Sequence, residues 1–323
     1  MSATPDPLDL QVAALLAQAR NVLLVSHVRP DGDAIGSLLA LGLALRDAGK
    51  QVQLVLVDGV PSNFHHLPGS KTIRRKAQPP WDLAVALDAS DLARTGGAFG
   101  DSAVGLNIDH HVTNTRFAQV NVVDAEAEAT CALLAERMPR WGLSITKPIA
   151  ECLLTGIIID TIGFRTSNMR PKVLRLAAGL MEAGADLPEL YQVGLLSKSY
   201  EAARYWGCGL GRLQREGGLL WTVLRLADRQ AVGYNGNDDA DLVNMLGSVE
   251  GDVVVLLNEQ KDGRVKVSWR AKPGLNVSRL ALHFGGGGHP AAAGADIQGA
   301  LEDVQERVLA ETRAFLASGG ALG

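Results

Sequence analysis

Three titratable side chains stand in a row at Asp109, His110 and His111, directly after the apolar run AVGLNI. Taken alone, such a triplet reads as a solvated turn, a metal site or half of a proton relay. Residues of the same kinds recur wherever an apolar run ends. His27 follows NVLLVS, with Asp31 and Asp33 close behind it in SHVRPDGDAIGS. Asp88 closes DLAVALD, and Asp160 closes the apolar stretch LLTGIIID. An aspartate after a strand is by itself a common helix cap, but these residues are grouped by more than chance. Asp31, Asp33, Asp88 and Asp160 carry four negative charges. Carboxylates a few ångströms apart repel and take up protons, whereas two divalent cations neutralise them. Imidazoles among carboxylates suit Mn²⁺, with Mg²⁺ or Co²⁺ as alternates, better than they suit a thiolate-rich zinc site. Two such ions roughly 3.5–4 Å apart are the usual arrangement for phosphoester hydrolysis.

For these side chains to meet, the segments that carry them must end at one edge. NVLLVS (21–26), QVQLVLV (51–57), DLAVAL (82–87) and AVGLNI (103–108) are short apolar runs of the buried, parallel kind. Between and after them, DAIGSLLALGLALRDAG (33–49), EAEATCALLAERM and KPIAECLLTGIIID have helical spacing. The alternation predicts an α/β fold whose N-terminal part is a doubly wound, mainly parallel sheet. Ligands of such sheets bind outside the carboxyl ends of the strands, where His27, Asp88, Asp109 and His110 follow their runs. The pattern changes near residues 185–205, and the stretch from Met181 to Gly218 reads as wholly helical and connecting. LLWTVLRL, DVVVLLNEQ and GRVKVSWR are then strands, and NVSRLALHF and LEDVQERVLAETRAFLA helices, of a smaller C-terminal α+β domain. The expected division is a catalytic domain over 1–186, a helical linker over 187–205 and a substrate-binding domain over 206–323. The chain's 323 residues fit two domains, since single cores rarely grow beyond about 250–300 residues.

Composition narrows the function class. With 47% hydrophobic and 20% charged residues and a net charge of −4, the chain reads as a soluble globular protein. No apolar run approaches the ~20 residues of a membrane span, and MSATPDPLDL shows no signal-peptide pattern. Cys131, Cys152 and Cys208 lie far apart without metal spacing and read as reduced thiols of a cytoplasmic protein. A mildly acidic chain lacks the basic face of a general nucleic-acid coat, so any nucleic acid should be short and held locally.

The C-terminal part adds a second set of candidates. In VKVSWR, alternation puts Val265, Val267 and Trp269 on one face and Lys266, Ser268 and Arg270 on the other. The polar face offers a hydroxyl and a guanidinium fork suited to phosphate. GGGGH at 285–289 lacks the Lys-Ser/Thr of a Walker loop; consecutive glycines let backbone N–H groups converge on an anion, and the alternative is a flexible hinge with a core histidine. His65 and His66 read as structural or surface residues, His283 as packing, and Trp206 and Trp221 as core or interdomain packing. Arg94, near Asp88, is a candidate for neutralising phosphate charge.

HVRPDGDAIGS, LDASD, DHH and IIIDTIGFR resemble, in order, the four motifs of the DHH phosphoesterase superfamily, which includes RecJ exonucleases and family II inorganic pyrophosphatases. VKVSWR and GGGGHPAAAG resemble its DHH-associated domain, so the motifs span residues 26–294. Length and domain arrangement are most similar to the NrnA type of oligoribonuclease. The resemblance implies one ion held by His27, Asp31 and Asp88, and a second held by Asp33, Asp88, His110 and Asp160, with Asp88 bridging. It implies that Asp109 orients a neighbouring ligand, that His111 faces the substrate phosphate, and that Ser268, Arg270, Gly286, Gly287, Gly288 and His289 receive the nucleotide. The implied activity is Mn²⁺-dependent hydrolysis, at a site between the domains, of very short RNA to nucleoside monophosphates and of adenosine 3′,5′-bisphosphate to AMP. The implied partners are short single-stranded RNA or DNA oligonucleotides and nucleotides, with no membrane and a homodimer as the assembly. Rival readings are a pyrophosphatase, a phosphodiesterase of linear or cyclic dinucleotides, and a metal-dependent nucleotide-binding module without turnover. GGGGH and the SWR strand, which look nucleotide-directed, weigh against the first; intact ligand positions weigh against the last.

Overall fold

The apolar runs of the first half become parallel strands in the computed structural model, which describes residues 6–236 and 239–320. Their order along the chain is α1 (Pro7–Gln18), β1 (Asn21–Val25), α2 (Gly32–Asp47), β2 (Gln51–Val55), β3 (Ile73–Arg74), β4 (Leu83–Leu87), β5 (Leu106–Asp109) and β6 (Val120–Val123). Then come α3 (Thr130–Arg137), α4 (Lys147–Asp160), α5 (Pro171–Glu182) and α6 (Leu187–Tyr191), the last running into a π-helical turn at Gln192–Leu196. The sheet order is β3-β2-β1-β4-β5-β6, and every pairing is parallel. Both faces of the central strands β1 and β4 are covered, which is why these two are almost wholly apolar. Val22 and Leu24 face one core with Ile35, Leu38 and Ile157, while Leu23 and Val25 face another with Ala84, Ala86 and Phe99.

Two features of this unit position the candidate site. The winding reverses between β1 and β4, which lie side by side with Val25 opposite Ala86. The segments leaving these two strands diverge at that switch point, where open α/β sheets bind ligands. Meanwhile α2 and α4 cross at backbone contact. A methyl group at Gly36 would lie 2.5 Å from the Cys152 carbonyl oxygen, and one at Gly156 would lie 2.9 Å from Asp33 Oδ1. Glycine at both positions lets the start of α2, with Asp33, approach α4, which ends at Asp160.

The chain divides into two compact units, the second beginning at Lys198. The second unit comprises α7 (Tyr200–Leu210), β7 (Gln214–Glu216), β8 (Leu219–Leu224), α8 (Leu226–Val232), α9 (Leu242–Leu246), β9 (Val253–Glu259), β10 (Arg264–Ala271), α10 (Ser278–His283), β11 (Gly287–His289), β12 (Ala292–Gln298) and α11 (Leu301–Ala317). Its sheet runs β11-β12-β10-β9-β8-β7, with β8 and β9 parallel and the other pairs antiparallel. Val265, Val267 and Trp269 of β10 are fully buried in one core with Val304, Val308 and Phe315 of α11, and Trp269 Nε1 donates to Thr312 Oγ1 at 3.2 Å.

The connecting stretch departs from its expected form. Residues 181–218 are not wholly helical: α5 ends at Glu182, α6 starts afresh at Leu187, α7 starts at Tyr200, and Gln214–Glu216 is a strand paired with β8. Local capping explains the breaks. The Asp186 side chain accepts from Glu189 N at 3.0 Å, and Ser199 Oγ accepts from Ala202 N at 3.1 Å, so each starts a new helix as an N-cap. Among the described residues, no helix is long and apolar enough to cross a membrane.

Candidate active site

The loop after β1 supplies the first candidate ligands. His27 is buried, and its Nδ1 lies 2.9 Å from the Val28 carbonyl oxygen. A carbonyl only accepts, so Nδ1 carries the hydrogen and Nε2 is the nitrogen turned to the site. Asp31 caps α2, Oδ1 accepting from Asp33 N and Ala34 N at 3.0 Å each. The cap role and the site role coexist, because the same carboxylate lies 3.9 Å from His27 Nε2. Asp33, in the first turn of α2, is buried and accepts Thr130 N at 2.7 Å and Cys131 N at 2.9 Å. The start of α3 therefore holds this carboxylate by its backbone amides.

Asp88 sits at the centre. It leaves β4 with φ 54°, a left-handed conformation that is uncommon without glycine and that concentrates at functional sites. Arg29, Ile162 and Phe164, in the loops beside it in the motifs, share that region with φ of 57°, 49° and 63°. Asp88 Oδ2 lies 3.4 Å from His27 Nε2, while Oδ1 lies 3.7 Å from both His110 Nε2 and His111 Nδ1. The two oxygens thus face different imidazoles. Thr130 Oγ1 donates to Oδ1 at 2.9 Å.

His110 repeats the arrangement of His27. Its Nδ1 lies 3.2 Å from the Ala127 carbonyl oxygen, and its Nε2 faces Asp160, Asp88 and Asp33 at 3.6, 3.7 and 3.8 Å. These separations exceed ordinary hydrogen-bond lengths. The structure thereby brings together His27, Asp31 and Asp88 as one group, Asp33, His110 and Asp160 as another, and Asp88, His110 and His111 as a third, with ligand atoms within 4.8 Å of one another in each. Asp109 is buried, takes the Nδ1 hydrogen of His111 on Oδ1 at 2.7 Å, and accepts Asn114 Nδ2 on Oδ2 at 2.5 Å.

The electrostatics are those of crowded carboxylates. Burial, then Asp88 and Asp160, push Asp33 well above the carboxylate range. Burial, with Asp31 and Asp88, raises Asp160 to about 6 against the pull of His110. Burial would raise Asp88 too, but His27, His111 and His110 together hold it far below the usual range. For the histidines burial works the other way, and the facing carboxylates outweigh it and raise His27 and His110 to about 9 each. In the absence of a cation these imidazoles hold protons between carboxylates. Two Nε2 atoms with fixed tautomers, aimed among four carboxylates, form a donor set that fits divalent cations, which would replace those protons.

The candidates of the second unit meet different partners. Ser268 is buried on β10 beside Arg270. The Arg270 guanidinium, expected to fork toward phosphate, donates Nε and Nη2 to Asn244 Oδ1 at 3.0 and 2.8 Å, and Nη1 to the Trp269 carbonyl at 2.9 Å. These contacts use three of its five N–H groups. The glycine run is not a free cradle. Gly285 and Gly286 donate their amides to Leu282 and Ala281, and Gly287, Gly288 and His289 form edge strand β11 against β12. A methyl group at Gly288 would lie 2.6 Å from the Ala292 carbonyl oxygen, so glycine there serves close strand approach. The residues set aside behave as structure: His65 bonds the Val60 carbonyl, Trp206 the Ala240 carbonyl, and His283 packs edge-on against Phe284. Arg94 takes part through its backbone, its carbonyl accepting Val28 N at 2.8 Å.

Residues 21–157 match the DHH family N-terminal domain, and residues 225–318 match the DHHA1 domain. The chain is 36% identical over 322 residues to the bifunctional oligoribonuclease and PAP phosphatase NrnA of Thermus thermophilus, covering 98% of this chain and 97% of that one. The chain belongs to the DHH phosphoesterase family. Another relative of the same name, from Bacillus subtilis, is 24% identical across 90% of this DHH chain and 93% of its own. An exopolyphosphatase-related protein from Bacteroides fragilis superposes with a TM-score of 0.88 at 26% identity, covering 96% of this chain and 97% of that one. RecJ from Thermus thermophilus in complex with Mn²⁺ shares the fold, with a TM-score of 0.58 at 15% identity, covering 98% of this chain and 55% of its own.

Sequence reasoning missed Thr130, Asn114 and Asn244. Thr130 touches two candidate ligands yet lies 97 residues from Asp33, and no local pattern marks it. Asn114 offered a weak signal, a further polar residue just past D-H-H in HVTN.

Proposed function

We propose that this DHH chain is a metal-dependent hydrolase that cleaves very short RNA to nucleoside monophosphates and converts adenosine 3′,5′-bisphosphate to AMP. The observation that carries the reading is the match to the Thermus NrnA across both units and 98% of the chain. The ligand geometry around Asp88 supports it. His27, Asp31 and Asp88 hold one ion, and Asp33, Asp88, His110 and Asp160 hold another, with Mn²⁺ the ion best suited to this mixture of imidazole and carboxylate. Divalent cations bound there supply Lewis-acid stabilisation of phosphoryl charge and ready deprotonation of water.

The chain's own groups do the rest. Asp109 fixes the His111 ring by its Nδ1 hydrogen and turns Nε2 away from itself, so that His111 meets a phosphate oxygen with Nε2. Thr130 and the α3 amides hold Asp88 and Asp33 against the repulsion of their neighbours. In the second unit, Ser268, Arg270, Gly286, Gly287, Gly288 and His289 receive the nucleotide, with Asn244 bracing the Arg270 fork. Product analysis on end-labelled RNAs from two to about twenty nucleotides, beside adenosine 3′,5′-bisphosphate, tests the reading. Mononucleotide release from the shortest oligomers, dependent on Mn²⁺, is expected. Turnover of pyrophosphate alone, or of long RNA in preference to short, would overturn it.

A further inference from the structure

An ion pair beside the candidate site, between a buried carboxylate and a half-exposed guanidinium, has no part in the roles described so far. Glu128 lies in the connection from β6 to α3 and is only 2% exposed. Arg170 precedes α5, at the end of the loop that follows Asp160. The guanidinium meets the carboxylate as a fork, Nε to Oε1 at 2.9 Å and Nη2 to Oε2 at 3.3 Å. Such bidentate pairs fix orientation as well as distance, which a lysine ammonium cannot do.

The segment that Glu128 belongs to touches three of the candidate ligands. Ala127, just before it, offers its carbonyl to His110 Nδ1 at 3.2 Å. Thr130 gives its amide to Asp33 at 2.7 Å and its hydroxyl to Asp88 at 2.9 Å. Cys131 gives its amide to Asp33 at 2.9 Å. The α3 N-cap position, Ala129, has no side chain able to fasten this turn. The fastening comes from Glu128 instead, across to the loop whose far end carries Asp160.

We propose that Glu128 and Arg170 are positioning residues that set the register of the 127–131 segment, and through it the aim of His110, Asp33 and Asp88 at the cations. The inference rests on the metal-dependent reading above. Without Arg170, the buried Glu128 carboxylate has to reach water, and the segment must shift to let it. A displacement of about 1 Å remote from the reacting atoms is enough for ~10²-fold loss.

The test uses the full chain and measures Mn²⁺ binding by calorimetry, with kcat and KM on a labelled dinucleotide alongside. Arg170→Gln and Glu128→Gln should each weaken Mn²⁺ binding and lower kcat by ~10–100-fold, with KM for the dinucleotide unchanged. The double variant should lose less than the product of the two single losses, because one interaction is removed twice. Arg170→Lys keeps the charge that neutralises Glu128 and covers the case in which Arg170→Gln does not fold; it should show an intermediate loss of Mn²⁺ affinity. Wild-type Mn²⁺ affinity and kcat in Arg170→Lys, or in either Gln variant with only the melting temperature lowered, would reduce the pair to a structural brace and overturn the proposal. If the wild-type chain cleaves no short RNA, the functional reading fails separately, and calorimetry still decides the positioning role.

Discussion

The Asp109 carboxylate takes the Nδ1 hydrogen of His111 at 2.7 Å, and in the same triplet His110 gives its own Nδ1 hydrogen to a backbone carbonyl instead. Both neighbouring imidazoles therefore turn Nε2 outward, but under different electrostatic support. The carboxylate partner fixes the His111 ring with Nε2 toward a phosphate oxygen, while His110, held by a neutral carbonyl, offers its Nε2 lone pair among the carboxylates. Asp109→Asn keeps the shape but loses the charge. It should lower kcat by ~10–100-fold and leave Mn²⁺ affinity near that of the wild type. A parallel loss of metal binding, read by calorimetry, would place His111 among the ligands.

Asp88→Asn should remove hydrolysis altogether. Its two oxygens face His27 on one side and His110 with His111 on the other, and an amide offers only one oxygen and no charge. The expected fall in kcat is at least ~10³-fold, the scale of losing a main electrostatic element. Near-normal turnover at saturating Mn²⁺ would contradict a shared carboxylate.

Stability should depend on pH and metal together. In the folded chain His27 and His110 are raised from 6.5 to about 9 by carboxylates that outweigh burial. The folded state thus binds their protons more tightly than the unfolded state. Their contribution is complete below pH 6.5 and is lost as pH rises through about 9. Asp160, raised from 3.8 to about 6 mainly by burial, has the same sign at lower pH. Asp88 has the opposite sign, but its contribution is lost only as pH falls below 3.8, outside this window. Cations that replace the protons reverse the trend. Melting with Mn²⁺ and with chelator should differ more at pH 9 than at pH 6, and at a hundred times the dissociation constant the metal should add about 2.7 kcal/mol. A gap that stays constant across the range would remove the protonated imidazoles from the account.

Arg270→Ala should separate nucleotide binding from metal binding. A charge-assisted fork to phosphate contributes roughly 1.5–3 kcal/mol, or about 10–150-fold in efficiency on short RNA. An aryl phosphate carrying no nucleotide should lose much less. Asn244→Ala, which frees the fork from its brace, should show a smaller loss in the same direction. Equal losses on both substrates would mean that Arg270 serves the fold of the second unit.

Residue order alone determined the α/β alternation and the kinds of candidate ligand at the strand ends. Burial on both faces forces strands such as LAVAL to be apolar throughout, and the chemistry has to sit where they stop, at Asp88 and around His27. Alternation likewise marked Val265, Val267 and Trp269 as core, because a half-covered strand has only two faces. What tertiary structure decided was everything set by contact between distant segments. The breaks at Asp186 and Ser199 depend on side chains folding back onto local amides, which helical spacing does not register. The partners of Asp33 come from α3, brought in by the glycine-permitted crossing of α2 and α4. Which nitrogen of His27, His110 or His111 faces inward depends on the group opposite its other nitrogen, a carbonyl or a carboxylate supplied elsewhere in the fold. A one-dimensional pattern records which side chains are available and which way a strand or helix exposes them; it carries no record of the hydrogen-bond partner across a crossing, and that partner fixes the tautomer and the aim.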